Sequence, residues 1–165
     1  MRRSLRATKR LTVAPKWTVA DDRGATRLTV ALECDDPDLT GIALCLRTNA
    51  NTPDADLSAQ LFVSLADHDW RIERIDWRPR NPHTNRTGSA DLKGLTVETG
   101  IHSFEENTTC GLAEMQAKNL PLVVPLKPEP QTFDELLAVA RVRFSIVDTS
   151  SIPDPPWSPN LFPLV

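Results

Sequence analysis

Between Arg74 and His102 the chain concentrates side chains able to move protons or hold phosphate. The stretch 74–107, RIDWRPRNPHTNRTGSADLKGLTVETGIHSFEEN, carries two of the three histidines, four arginines and three asparagines. Two imidazoles beside one arginine suffice to cleave RNA without metal. One takes the 2′-hydroxyl proton, the other protonates the leaving oxygen, and the guanidinium steadies the charged phosphorane. An unperturbed imidazole pKa of about 6.5 suits both roles. The candidate catalytic set is therefore Arg74, Asp76, His83, Asn85 and His102. Arg78, Arg80 and Arg86, in the proline-bounded loop, are candidates for nucleic-acid phosphate contacts. The two histidines with Asp76 or Glu98 form an alternative set for a divalent metal. With no CxxC pair a zinc site of the usual spacing is not expected, and no cofactor is called for. A plainer role stands beside all of these: a histidine in a loop next to proline and asparagine commonly serves as a hydrogen-bonding turn residue. His68, between two acids in ADHDW, is expected to be solvated.

Both catalytic ideas require elements that bring His83 and His102 together. Alternation along 70–78, WRIERIDWR, places Arg74, Asp76 and Arg78 on one side of a strand and Ile75 and Trp77 on the other. Asp76 is then a neighbour of Arg74 and able to orient an imidazole. Pro79 and Pro82 turn the chain, and Pro82 holds Asn81 extended. Residues 95–104 read as a further strand with His102 and Phe104 on one face. Imidazoles within about 7 Å of each other could act on one phosphate, and beyond about 12 Å they could not.

The rest of the chain supplies the frame. Residues 27–34, 39–47 and 57–65 alternate in the period of a half-buried strand, separated by the turn clusters DDPD and NANTPDAD. A strand within 10–20 is interrupted by Pro15, which suits an edge. Thr132 and Glu135 form a capping box, after which Phe133, Leu136, Leu137, Ala140 and Phe144 recur at helical spacing. That stripe reads as core packing. A weaker helix falls at 111–119 and a short strand at 120–126. The expected fold is α+β: an antiparallel meander of five to seven strands covered on one face by the C-terminal helix.

Three regions follow from composition: a basic N-terminal arm at 1–10, a single α+β domain at 11–147 and a proline-rich tail at 148–165. The first ten residues hold five basic residues and no acid, leaving 14 basic and 22 acidic residues in the remainder. The arm reads as a solvated terminus, as a phosphate-touching segment, or least readily as an organelle presequence. Trp157, Leu161 and Phe162 in the tail are expected to pack on the domain, on a second copy or on a protein partner. Three cysteines without dense spacing argue against a disulfide framework and for a cytoplasmic protein. Cys34 and Cys45, in strand-like runs, read as small buried apolar residues. No apolar run approaches the roughly 20 residues that span a membrane.

The run RIDWRPRNPHTNRTG…GLTVETGIHSFEEN, followed by LPLVVPL and TFDELLAVA, resembles a group of small uncharacterised bacterial proteins. In that group an R-x-D strand precedes an H-x-N loop and a strand bearing H-x-H or H-x-aromatic, with a short apolar strand and a C-terminal helix after it. The resemblance covers residues 74–144 and matches at Arg74, Asp76, His83, Asn85 and His102. It implies a bacterial protein from mobile-element or toxin–antitoxin neighbourhoods. Phe104 stands where a further histidine often occurs, which removes a metal ligand and puts inherited catalysis in doubt. The leading functional expectation is a non-enzymatic interaction protein, binding a partner or itself through the tail or a sheet edge. The alternatives are a small metal-independent nuclease and a nucleic-acid binder without catalysis.

Overall fold

The computed structural model describes residues 5–65, 68–117 and 119–158. Alternating side chains drive the long strands, since the period of two sends apolar residues to one face and polar residues to the other. The strands are β1 (Lys9–Leu11), β2 (Ala25–Cys34), β3 (Ile42–Asn49), β4 (Leu57–Leu65), β5 (His68–Trp77), β8 (Gly100–His102) and β9 (Val124–Pro125). They lie in the order β1-β2-β3-β4-β5-β8-β9, and every pairing is antiparallel. Between β5 and β8 the chain makes a separate two-stranded ribbon, β6 (His83–Thr84) with β7 (Thr96–Val97). The architecture is the expected α+β meander. Two differences are local. The strand anticipated over 95–104 splits into β7 and β8, and Ser103 caps the short helix α1 (Phe104–Thr108) by accepting from the Glu106 amide at 3.1 Å. Arg78 leaves the face of Arg74 because its φ of 45° turns the chain after Trp77.

One face of the sheet is apolar and covered. Leu28, Leu44, Leu46, Leu61 and Ile75 are all at most 1 % exposed. Against them packs α3 (Phe133–Arg143), burying Phe133, Leu136, Leu137 and Ala140, with Phe144 just beyond its end. Thr132 caps this helix by accepting from the Glu135 amide at 3.2 Å. The return arm of the box falls one residue early: Glu135 Oε2 accepts from the Gln131 amide at 2.7 Å. The other helix, α2 (Leu112–Ala117), contributes Met115 to the core.

The described segments near both ends of the chain dock on this frame. Lys9 is fully enclosed, and its Nζ donates to the carbonyls of Leu5, Ala7 and Phe144 at 2.7, 2.9 and 3.1 Å. Burial lowers its pKa, against the pull of Cys34 and Glu73. Arg10 pairs with Asp35 and Arg6 with Glu105, so three of the basic residues of the start are used within the chain. In the tail, Ile152 is buried and Trp17 Nε1 donates to the Pro153 carbonyl at 2.9 Å. Among the described residues no helix is long and apolar enough to cross a membrane. All three cysteines are free; Cys45 is buried and Cys34 half-buried.

Candidate functional site

The second face of the sheet is open and polar, and register decides what stands on it. One row across the strands reads Arg27, Arg47, Ser58, Asp76 and Gly100. The next reads Thr29, Cys45, Gln60, Arg74 and His102. A β-bulge then shifts the register of β4 against β5, so that Leu61 faces Glu73 while Phe62 faces Arg71. The extra residue, Ile72, reverses the alternation. Arg71 thereby joins Arg74 on the open face, and Ile72 is buried at 1 % exposure. Bulges re-aim side chains in this way.

His102 is the centre of the deeper part. It is fully buried. Its Nδ1 donates to the Leu120 carbonyl at 2.8 Å, which fixes the tautomer and leaves Nε2 as the acceptor of the neutral ring. Arg74 Nη2 donates to that nitrogen at 2.7 Å, and Asp76 Oδ2 stands 3.0 Å from it, a contact that becomes a hydrogen bond when Nε2 takes up a proton. Arg74 Nε is 3.1 Å from the same carboxylate oxygen, but off line for a hydrogen bond, so that contact is ionic. Burial drives the His102 ring below the usual imidazole range; the Asp76 hydrogen bond pulls it up, Arg74 pushes it down, and burial wins. Burial alone would raise the Asp76 carboxyl, but the hydrogen bond it takes from the protonated His102 ring and the charge of the Arg74 guanidinium outweigh it and hold the group below the usual carboxylate range. At neutral pH the trio is therefore a neutral imidazole, a carboxylate and a guanidinium.

His83 arrives on β6 from the other side. Its ring meets that of His102 edge to face, with centroids 4.9 Å apart. Its Nε2 donates to the Pro121 carbonyl at 2.8 Å, so its neutral ring carries the lone pair on Nδ1. Asn85, two residues on, is fully buried, and its amide bonds both the amide and the carbonyl of Val123 at 2.9 Å. Asn107 does the same for Leu122, at 2.8 Å each way. These two asparagines hold in place the segment whose carbonyls at Leu120 and Pro121 orient the two imidazoles. Asn85 is thus spent on position.

The shallower part is an open groove of about 760 Å³ that runs over the polar face, with Arg27, Arg47, Arg71, Arg74 and His83 along it. Arg71 is held by Gln60, whose Oε1 accepts from Nε at 2.8 Å while its own Nε2 donates to Ser58 Oγ at 2.7 Å. The Arg71 guanidinium also lies 5.0 Å from the centre of the Phe62 ring. Burial lowers the Arg71 pKa, and the charges of Arg74 and Arg47 lower it further, against the pull of Asp76. Arg71 is therefore near enough to both Arg47 and Arg74 to be repelled by them. Arg27 and Arg47 are directly cross-strand, an arrangement that destabilises a sheet. Among the described residues no carboxylate forms an ion pair with Arg27, Arg47 or Arg71. Asp21, Asp56 and Asp76 also line the groove. Asp21 accepts from the amides of Arg23 and Ala25, Asp56 from that of Arg80, and Asp76 is engaged by Arg74.

The expected loop contacts divide. Arg78 is used internally: it donates to Gln131 Oε1 at 3.0 Å and to the Asp54 carbonyl at 3.3 Å, and lies 3.4 Å from Glu129. Arg80 and Arg86 are exposed, and Arg86 lines a second cavity of about 630 Å³ beyond His83. Trp157 is seated on the chain's own core, 6.5 Å from Trp77 and 6.0 Å from Phe133 between ring centres, with Nε1 donating to Thr48 Oγ1 at 3.2 Å. Leu161 and Phe162 lie outside the described residues. Among the described residues no group of three or more His, Cys, Asp or Glu converges as metal ligands would. Arg27, Arg47, Arg71 and Gln60 were not singled out from the sequence. The available signal was that alternation puts Arg27 and Arg47 opposite the apolar residues of their strands.

Comparisons with protein-family models, with curated proteins and with solved structures returned no match.

Proposed function

We propose that the protein is a binding module whose open sheet face takes a phosphate-bearing anion. One observation carries the reading: Arg47, Arg71 and Arg74 line the groove on that face, and among the described residues neither Arg47 nor Arg71 forms an ion pair with a carboxylate, Asp76 being paired with Arg74. Like charges held together raise the energy of the unliganded chain, and a multivalent anion relieves it while taking hydrogen bonds from the guanidinium N–H groups not already engaged within the chain. The held pose of Arg71, between Gln60 and Phe62, reduces the ordering cost of binding. The test is isothermal titration with pyrophosphate at low and high salt. Millimolar or tighter binding that weakens with salt, and is lost in Arg71→Ala, supports the reading. An inert wild-type chain at low salt rejects it.

A second reading, phosphodiester cleavage on the same face, is favoured by the 4.9 Å approach of His83 to His102. His102 has no exposed surface and both its nitrogens are engaged, so His83 would take the 2′-hydroxyl proton through Nδ1 and return it to the leaving 5′-oxygen, with His102 a positioning residue. Loss of RNA turnover in His83→Ala is the expected outcome. The partner-binding role of the tail draws less support, because Trp157 is occupied within the chain.

A further inference from the structure

The groove and the second cavity are adjacent. Pro82 and His83 line both. Their chemistries differ. The groove presents guanidinium groups, whereas the second cavity is walled by the rings of Pro82, Pro121 and His83 and by Thr84, Thr87 and the exposed Arg86. Each volume, about 760 and 630 Å³, falls in the roughly 300–1,000 Å³ range of small-molecule sites. The flat His83 ring and the planar Arg86 guanidinium are surfaces on which a nucleobase stacks, and the two proline rings add apolar wall. Arg47 and Arg71, on neighbouring parts of the groove and without an ion pair among the described residues, offer contacts to more than one phosphate.

We infer that the ligand is a nucleoside diphosphate or triphosphate, its phosphates over Arg47, Arg71 and Arg74 and its base in the cavity beyond His83. The inference rests on the anion-binding reading and adds the class of ligand. His83, fixed through Nε2 to Pro121, stands at the junction, where the sugar passes. The Asn85 and Asn107 amides that anchor Leu122 and Val123 keep the Pro121 wall in place, so the base cavity is preformed.

The experiment is a titration of the full chain with pyrophosphate, with ADP, GDP, CDP and UDP, with the free nucleosides, and with a short single-stranded RNA. At least one nucleoside diphosphate is expected to bind about tenfold more tightly than pyrophosphate. Arg86→Ala, an exposed position, is expected to shrink that ratio towards one, with the thermal unfolding curve checking that the variant folds. Pyrophosphate binding as tightly as every nucleotide, or an undiminished ratio in Arg86→Ala, overturns the inference and leaves the anion-binding reading standing. RNA binding far tighter than any mononucleotide overturns it in favour of a nucleic-acid face. No binding by pyrophosphate or any nucleotide removes both.

Discussion

The imidazoles of His83 and His102 meet edge to face at 4.9 Å, yet their situations are opposite. His102 has no exposed surface and is bonded at both nitrogens. His83 is half-buried and lines two cavities. The pair divides into a ring that positions and a ring that faces a ligand.

The first prediction concerns the protonation of His102. Its folded pKa is depressed, while in the unfolded chain it titrates near about 6.5. The unfolded state therefore binds the proton first, so this group's contribution to stability is present above about pH 6.5 and is lost as pH falls through the depressed folded value. Asp76, also depressed, adds a further loss at lower pH, as pH falls from about 3.9. Glu73 acts in the opposite sense, because burial raises its pKa. Thermal melts of wild type and His102→Gln across pH 5 to 8 isolate the first contribution. The wild-type decline below about pH 6.5 should flatten in the variant. Imidazole nitrogen NMR at neutral pH should give the neutral Nδ1–H tautomer.

The second concerns Asn85. Its substitution by alanine strands the amide and carbonyl of Val123, each a buried group costing about 1–3 kcal/mol when unpaired. Chemical denaturation should register that loss. Asn85→Asp should be nearly as costly, since a carboxylate cannot donate to the Val123 carbonyl. A variant of wild-type stability with altered ligand affinity would mean that Asn85 serves the ligand and not the frame.

How much of this was legible in the sequence depends on the range of the interaction. The strand at Leu57–Leu65 and the helix opened by Thr132 are local, written in alternation and in a capping box. The neighbouring pair Arg74 and Asp76 follows from the same alternation. Arg71 was hidden because the bulge at Ile72 reverses the parity of its strand, and alternation counted back from Arg74 assigns Arg71 to the wrong face. Arg27 and Arg47 meet only through the register of β2 with β3. The meeting of His83 with His102 depends on carbonyls at Leu120 and Pro121, which no side-chain pattern announces.

The third prediction addresses the tail. Trp157→Ala removes a half-buried ring from Trp77 and Phe133 and should cost about half of the roughly 3–5 kcal/mol typical of a fully buried tryptophan. Differential scanning calorimetry would detect it. An unchanged melting temperature would indicate that the tail leaves the domain in solution.

The fourth concerns Gly100, where a Cβ would stand 2.5 Å from Val123 Cγ2, 2.7 Å from Val97 Cγ1 and 2.8 Å from the Val124 carbonyl. Gly100→Ala should destabilise by about 1–3 kcal/mol, the usual range for overpacking. Because Gly100 faces Asp76 across β5 and β8, the His83 and His102 ring resonances should shift as well.

The decisive measurement pairs affinity with stability in Arg47→Thr. Threonine suits a strand, and the change removes one member of the cross-strand pair Arg27–Arg47, so the unliganded variant should be more stable by about 0.2–1 kcal/mol. It should also bind pyrophosphate at least about tenfold more weakly, the equivalent of about 1.4 kcal/mol. A variant that is stabilised and loses the anion is the result expected of a face that holds its arginines together for a ligand. Unchanged pyrophosphate affinity in Arg47→Thr, at low salt where the wild type binds, would contradict it.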